Sequence, residues 1–364
     1  MKRDLKILVA AGGTGGHLFP ALAVVQQLEE MRPGTEFHFT GREDKIEGEL
    51  MPKMGYEFHP INVRGLGGLF SPATIKLPFQ IYRAFSKLKK IITTQNFDAV
   101  LCAGAYISFA PALAAKKTGL PLFLMEANVN PGKSINLLSK RADLIFTSFE
   151  ESSSYFAEEI RHKLVVSGNP VRKEIRNLPE RKESAEKFGI DPGKKTVLIF
   201  GGSLGARSIN TATEKLVKDL KDKDIQIIWQ TGKLYEGSPD IGNNVRMHTF
   251  IEDMASAYSA ADLIVARSGA TTVAELAAAG KPAILVPFPS ASNNEQKFNA
   301  KIPEERDAGI MITDDEIGER MIPEVKKFMN NEKRLAEMSK NAKELGKPNA
   351  AEKAAEKILE YLDK

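Results

Sequence analysis

Residues 7–25 constrain the fold most, because a short apolar run, ILV, leads there into the glycine-rich turn AAGGTGG and then into a helical pattern. An apolar run this short indicates a buried strand rather than a helix. Glycines at 12, 13, 15 and 16 remove every Cβ where a ligand could approach the backbone. The following helix directs N–H groups and its positive dipole end at the turn. The segment therefore predicts a site for anions or hydroxyl-rich ligands.

The same design returns at residues 197–213, VLIFGGSLGARSINTAT. Two such openings in a chain of 364 residues predict two domains of similar plan, with a cleft between them. The boundary is expected near Gly168, which gives a first domain at 1–168 and a second at 169–349. A last helix at 350–362 has an apolar, alanine-rich face, and whether residues 350–364 pack back on the first domain stays open.

Strand and helix patterns alternate along most of the chain, which predicts an α/β fold of doubly wound parallel sheets. Helices are predicted at 76–92, with Pro78 in the first turn, and at 315–330 and 332–345. Ligands of such sheets bind outside the carboxyl ends of the strands. Strands are predicted at residues 7–9, 36–40, 58–61, 99–101, 122–125, 144–147, 164–166, 197–200, 226–229, 246–248, 263–265, 283–286 and 309–312.

Composition excludes several function classes. A net charge of +4 is too mild for a nucleic-acid-binding protein, and a single cysteine, Cys102, allows no intrachain disulfide and indicates a reducing compartment. No signal peptide and no apolar run of about 18 residues is present, so membrane contact is expected to be peripheral. The five histidines are scattered without metal-ligand spacing, so no metal site is predicted. The second strand ends without the acidic residue of a dinucleotide fold, which argues against an NAD enzyme.

His17 stands at the start of the first predicted helix, beside the glycine turn. The helix dipole disfavours the imidazolium ion, so its pKa should be lowered and the neutral ring could act as a general base. The alternative is a histidine that only caps the turn.

Residues 267–275, RSGATTVAE, predict a second anion site of a size that suits a diphosphate. Gly269 breaks the strand, and Ala270, Thr271 and Thr272 begin a helix. Glu275 lies one turn further on and could accept both hydroxyls of a ribose, or it could be a solvated first-turn glutamate. The polar loop at 287–300 offers amide side chains to sugar hydroxyls, as a plain surface loop would.

The predicted helix at 76–92 has a basic stripe beside apolar side chains and follows an apolar loop at 65–70. That combination suits an anionic membrane surface, although a solvated helix would have a similar pattern. The residues of this candidate membrane patch are Phe79, Tyr82, Arg83, Lys87 and Lys90.

Together these segments resemble one family, the MurG glycosyltransferases, in the order GGTGGHLFPALAV, GAYIS, EAN, GNPVR, GGSLGAR, FIEDM, RSGATTVAE and NNEQ. The resemblance implies GT-B architecture, two Rossmann-like domains facing across a cleft, with no metal or cofactor. It implies inverting transfer of N-acetylglucosamine from its UDP donor to the muramoyl 4-hydroxyl of undecaprenyl-linked lipid I, giving lipid II for the cell wall. The enzyme would work at the cytoplasmic face of the bacterial inner membrane, and contacts with other wall-synthesis proteins stay open.

The resemblance also implies roles for individual residues. His17 matches the proposed base, and Tyr106, Glu126 and Asn136 match acceptor positions, with Glu126 also a candidate catalytic group. Ile251 would meet the uracil through its backbone. Donor-binding positions are Thr14, Gly15, Gly16, Asn128, Arg172, Ser203, Ile251, Ala270, Thr271, Thr272, Glu275 and Gln296.

The chain departs from the family pattern near the acceptor positions. Met125 and Ala127 flank Glu126 where the family has histidine and glutamine, and Glu295 replaces a histidine before Gln296. Two alternatives therefore stay open. One is a related UDP-sugar transferase that acts on another lipid, such as diacylglycerol, and the other is a nucleotide-sugar-binding scaffold without catalysis.

Overall fold

The computed structural model describes residues 4–63, 72–221 and 223–364, with the backbone alone for 72–76. The predicted loop at 65–70 and the side chain of Lys76 lie outside this description. The chain divides into two compact units, Met1–Pro170 with Asn349–Lys364, and Val171–Pro348. The division thus follows Pro170, close to the Gly168 boundary expected from sequence.

The first unit, within the described residues, contains a seven-stranded parallel sheet of order β3-β2-β1-β4-β5-β6-β7. Its strands are short, and the apolar β4 and β5 are buried along their whole length. The strands are β1 (Lys6–Ala10), β2 (Glu36–Gly41), β3 (Glu57–Pro60), β4 (Ala99–Cys102), β5 (Leu122–Glu126), β6 (Leu144–Thr147) and β7 (Leu164–Val166). The helices between them are α1 (Gly15–Met31), α2 (Ile46–Lys53), α3 (Pro72–Thr94), α4 (Phe109–Thr118) and α5 (Lys133–Ser139).

The second unit repeats the plan with a sheet that has six strands in the described chain, in the order β10-β9-β8-β11-β12-β13. Its strands are β8 (Lys195–Phe200), β9 (Ile225–Gln230), β10 (Val245–His248), β11 (Leu263–Ala266), β12 (Ala283–Leu285) and β13 (Gly309–Met311). The remaining helices are α6 (Lys173–Arg176), α7 (Arg181–Lys187), α8 (Arg207–Asp219), α9 (Met254–Ala260), α10 (Ala270–Ala279), α11 (Glu295–Glu305), α12 (Ile317–Met329), α13 (Glu332–Leu345) and α14 (Ala350–Leu362).

Both glycine turns lie where the order of the strands reverses. The first turn follows β1, which pairs with β2 on one side and β4 on the other. The second follows β8, which pairs with β9 and β11. Helices leave opposite faces of a doubly wound sheet at such a point and open a crevice beyond the strand ends. The α/β prediction and each of the predicted strands are confirmed, apart from shifts at their ends.

Helix α3 corrects one prediction. It begins at Pro72, so Pro78 lies inside the helix rather than in its first turn. Pro72 takes the first helical position, where the missing N–H costs no hydrogen bond. One side of α3 carries an apolar stripe, Ile81, Phe85, Leu88 and Ile92. This stripe faces the core, because Leu88 and Ile92 are buried beside the β4 and β5 side chains.

Helix α14 belongs to the first unit and packs on α1. Ala351, Ala354, Ala355 and Ile358 lie in one core cluster with the apolar face of α1. At its end, Asp363 accepts a 2.9 Å hydrogen bond from the Arg32 guanidinium. The small side chains of the alanine-rich face therefore allow α14 to pack closely against α1.

Candidate active site

The first glycine turn is tighter than the sequence suggests. Helix α1 already begins at Gly15, with Thr14 as its extended N-cap residue, so Gly16 and His17 lie in its first turn. Gly13 has a φ of +82°, in the left-handed region that favours glycine. The turn therefore presents the start of a 17-residue helix at the carboxyl edge of the sheet, which suits an anion or a sugar hydroxyl.

The buried carboxylate of Glu47, in α2, fixes this turn through hydrogen bonds to backbone N–H groups. It is 0% exposed, and it accepts hydrogen bonds from the backbone N–H of Gly13 at 2.9 Å and of Arg42 at 3.0 Å. A Cβ at Gly12 or at Gly41 would collide with the Glu47 side chain. Sequence analysis missed this residue. The available signal was Gly41 at the end of the second strand, which together with Gly12 leaves room for the Glu47 side chain.

His17 is half-buried against the turn that follows β4. A Cβ on Gly104 would lie 3.0 Å from its ring, so only glycine leaves room for the imidazole. The Thr14 hydroxyl lies 3.2 Å from Nδ1. Burial lowers the pKa of His17, and the nearby Glu47 carboxylate opposes the shift. The predicted lowered pKa is confirmed, but its main cause is desolvation rather than the helix dipole. A neutral imidazole is the form that can accept a proton.

Tyr106 begins a short 3-10 turn directly after Gly104 and Ala105, both of which have positive φ. Its hydroxyl interacts with the Arg42 guanidinium, which also donates to Asp44 at 2.8 Å. Residues that follow β1, β2 and β4 thus meet at one edge of the first sheet.

Glu126, at the end of β5, is engaged by its own loop. One oxygen accepts from the backbone N–H of Asn128 at 2.8 Å and from its side-chain amide at 3.1 Å, and the other accepts from Gly132 at 2.8 Å. A carboxylate that holds backbone donors in this way fixes the loop between β5 and α5. Asn136 lies in α5, where its amide faces Pro131 O at 3.4 Å.

In the second unit, α10 begins at Ala270 directly after β11, as predicted. Thr271 and Thr272 are half-buried in its first turn. The carboxylate of Glu275 is buried, and it pairs with Arg172 at 3.2 Å and accepts a 3.0 Å hydrogen bond from the Tyr258 hydroxyl. Burial raises the pKa of Glu275, while Arg172 and Tyr258 oppose the shift. Two residues that the sequence placed in one site, 103 positions apart, are therefore in contact.

The second glycine turn is wider, because α8 begins only at Arg207. Gly205 and Gly232 are packed backbone to backbone, and a Cβ on either would collide with the other segment. Ser203 is exposed at the tip of the turn. This close approach ties the end of β8 to the end of β9.

Gln230, which the sequence did not single out, spans this edge. Its amide donates to Gly202 O at 3.1 Å, and its carbonyl accepts from the Ile251 N–H at 2.9 Å. One of the two backbone groups of Ile251, the residue expected to meet a uracil through its backbone, is thus occupied by a side chain of the same unit. A base could use that N–H only after Gln230 turns away.

The loop after β12 closes the same edge. Gln296 accepts a hydrogen bond from Phe288 N at 3.0 Å, and its backbone carbonyl accepts from the Ser268 hydroxyl at 2.8 Å. The Arg267 guanidinium donates hydrogen bonds to Asp314 and to Ser208. These bonds join the loops that follow β11 and β12 into one surface.

The candidate membrane patch lies on the outer side of α3. Phe79 is 74% exposed and Tyr82 68%, and Arg83, Lys87 and Lys90 are exposed around them. The Lys87 ammonium group also donates to Pro60 O at 2.6 Å. Among the described residues, no helix has the length and apolar character needed to span a bilayer.

Known proteins match both units. The model for the glycosyltransferase family 28 N-terminal domain matches residues 7–147, and the model for its C-terminal domain matches residues 196–354. A relative from Christiangramia forsetii is 37% identical over 366 residues, covering 100% of this chain and 99% of its own. Its name is UDP-N-acetylglucosamine–N-acetylmuramyl-(pentapeptide) pyrophosphoryl-undecaprenol N-acetylglucosamine transferase.

Two further matches also cover nearly the whole of both chains. A relative of the same name from Desulforamulus reducens is 36% identical over 371 residues, covering 98% of this chain and 99% of its own. The crystal structure of MurG from Acinetobacter baumannii superposes with a TM-score of 0.77 at 28% identity, covering 98% of this chain and 100% of that one.

Proposed function

Since the chain belongs to the MurG glycosyltransferases of family 28, we propose that it transfers N-acetylglucosamine from UDP-N-acetylglucosamine to lipid I. The observation that carries the proposal is that relatives named for this reaction match the whole chain, with both units included. The GT-B class of two Rossmann-like domains and the UDP-sugar-dependent activity agree with the family 28 matches.

In the proposed reaction, the 4-hydroxyl of the muramoyl sugar attacks the anomeric carbon of the donor sugar. The bond from that carbon to the diphosphate breaks with inversion, and UDP leaves with the electron pair. His17 takes the hydroxyl proton, which its half-buried position and lowered pKa support. The first unit thereby supplies the base and the acceptor contacts, for which Tyr106 and Asn136 remain candidates.

The second unit is assigned to the donor. The start of α10 at residues 270–272 and the Arg172 guanidinium would stabilise the charge that grows on the leaving diphosphate. Glu275 would accept the ribose hydroxyls, and its bonds to Arg172 and Tyr258 support a fixed carboxylate in that role. Ser203 and Gln296 are assigned to the uridine diphosphate and the sugar, and Ile251 to the uracil.

The first glycine turn would reach the donor sugar through Thr14, Gly15 and Gly16. We give Asn128 and Glu126 less weight as substrate contacts, because hydrogen bonds within the loop after β5 already engage both side chains. We assign Glu126 to holding that loop in place, so that the acceptor meets the loop rather than the carboxylate.

The acceptor's undecaprenyl chain places the reaction at a membrane surface, and we assign contact with anionic lipids to the patch on α3. Aromatic rings of this exposure would enter the headgroup region, and the basic side chains beside them would meet lipid phosphates. The protein would then be peripheral at the cytoplasmic face of the inner membrane.

The test is transfer of labelled N-acetylglucosamine from its UDP donor to a short-chain lipid I analogue, with diacylglycerol as a parallel acceptor and EDTA present. We expect a product from lipid I alone, formed without a divalent metal. A product from diacylglycerol alone would overturn the assigned acceptor. Donor hydrolysis with neither acceptor used would overturn the proposed transferase activity.

A further inference from the structure

The fold brings three metal-ligating side chains together where the sequence predicted no such cluster. His38 lies on β2, and Glu57 and His59 lie on the edge strand β3. In the parallel register His38 is opposite Glu57 and Thr40 is opposite His59. Residues two apart on a strand point to the same face, so the three side chains share one face of the sheet. Sequence spacing could not reveal this, because strand pairing sets it.

The distances between the ligand atoms match those around a tetrahedral metal ion. His38 Nδ1 and His59 Nε2 are 3.0 Å apart. Glu57 Oε2 lies 3.4 Å from His38 Nδ1, and the other carboxylate oxygen, Oε1, lies 3.5 Å from His59 Nε2. A tetrahedral zinc ion with bonds of about 2.0–2.2 Å holds its ligand atoms roughly 3.3–3.5 Å apart. Each of these three distances is within about 0.5 Å of that separation, and all the ligand atoms lie within 4.8 Å of one another.

The surroundings also resemble a built metal site. The second ring nitrogen of His38 lies 3.8 Å from the Glu36 carboxylate, which a small rotation of either side chain would bring into hydrogen-bond range, where it could orient the ring. Phe97 packs edge-on against the His38 ring. Both histidines are buried, but the Glu57 side chain is about half exposed. An ion could therefore enter from solvent and keep a water molecule as its fourth ligand.

Two lysines face the cluster. Lys6 is paired with Glu36 at 2.6 Å, and Lys87 donates to Pro60 O. Each ammonium group thus has an oxygen partner outside the three candidate ligands.

We propose that His38, Glu57 and His59 bind one divalent transition-metal ion of the zinc class, which fastens the edge strand β3 to β2. Two imidazoles and a carboxylate favour Zn²⁺ or Co²⁺ over Mg²⁺ or Ca²⁺, which prefer all-oxygen ligands. The inference is independent of the transferase reaction, which can be metal-free while this ion stays bound.

The experiment titrates the chelator-treated full-length protein with Co²⁺ and follows its visible d–d absorption, then adds Zn²⁺ as a competitor. We expect one equivalent to bind saturably, with the intense absorption of a four-coordinate site, and Zn²⁺ to displace it. His38→Gln and His59→Gln should each weaken binding on the order of 100-fold, since each removes one of three protein ligands. His162→Gln, a change at an exposed histidine elsewhere in the unit, should leave the titration unchanged.

Glu57→Gln keeps the test valid if the buried histidine variants fail to fold, as judged by circular dichroism. That change is at an exposed side chain and should weaken binding at least about tenfold while leaving the fold intact. An unchanged titration in a folded Glu57→Gln protein would overturn the proposal. So would binding that is equally weak in the parent and in both histidine variants, since the two rings would then share only an N–H···N hydrogen bond.

Discussion

Glu47 offers the sharpest test of how the first glycine turn is held. Its carboxylate accepts one backbone N–H on each oxygen, from Gly13 and from Arg42. Glu47→Gln keeps the shape of the side chain but replaces one acceptor with an NH₂ group. That group would face a backbone donor, so one hydrogen bond is lost and two donors are forced together.

The magnitude follows from these two bonds. A hydrogen bond to a charged group contributes about 1.5–3 kcal/mol, and a buried donor without an acceptor costs about 1–3 kcal/mol. We therefore expect Glu47→Gln to lower the free energy of unfolding by about 2–4 kcal/mol, a large share of a typical total of 5–15 kcal/mol. Because Glu47 raises the pKa of His17, the variant should also move the acidic limb of the pH–rate profile to lower pH.

Urea unfolding and the pH dependence of kcat/KM with the lipid I analogue check both expectations. The matched control is Glu49→Gln on the same helix, where an exposed carboxylate pairs with Lys53 at 2.7 Å. Solvent screens an exposed ion pair of this kind, so this control should change stability little. If Glu47→Gln and Glu49→Gln had equal stability and equal pH profiles, Glu47 would not hold the turn.

Four further outcomes are expected. His17→Ala should lower kcat by about 10²–10⁴-fold with little change in donor KM. In the parent protein, the acidic limb of the pH–rate profile should lie below the ordinary histidine pKa of about 6.5, since activity is lost as the lowered-pKa ring gains a proton. Glu275→Gln should raise the KM for UDP-N-acetylglucosamine about 10- to 100-fold in steady-state assays. Gly232→Ala, with a φ of +83° and a Cβ that would collide with Gly205 N, should lower Tm by about 4 °C or more in calorimetry. Phe79→Ser with Tyr82→Ser should weaken co-sedimentation with anionic vesicles several-fold.

Three of these variants have a control in the same chain. His162→Gln should retain full turnover, and Gly202→Ala should cost less than Gly232→Ala because nothing lies within 4 Å of its added Cβ. Leu234→Ser changes a side chain as exposed as Phe79, at 74%, but in the second unit, and should leave vesicle binding intact. Near-normal turnover of His17→Ala, an unchanged donor KM for Glu275→Gln, or equal vesicle binding of the Phe79/Tyr82 and Leu234 variants would contradict the corresponding role.

Local pattern accounts for most of the fold. A short apolar run between glycines can bury both faces only as a strand of a parallel sheet, so the positions of the strands were predictable along both units. The apolar stripe of α3 and the alanine-rich face of α14 were readable because helical periodicity depends only on spacing. The start of α10 was predictable because Gly269 breaks the preceding strand, whereas α1 begins at Gly15, earlier than the glycine pattern indicated.

Tertiary structure alone decided which polar side chains meet. Glu47 reaches Gly13 across 34 positions and Arg172 reaches Glu275 across 103, and no local pattern encodes either contact. Glu126 could be named from its motif, but only the folded loop shows that its oxygens are already engaged.

The sequence by itself thus determined the α/β plan, the two glycine turns and the residues available at the strand ends, because backbone sterics and the periodicity of burial act over a few residues. The fold decided the pairing of His38 with His59, the bond from Gln230 to Ile251 and the burial of Glu47. Those contacts depend on strand register and on the direction of each side chain, which are fixed only when distant segments pack together.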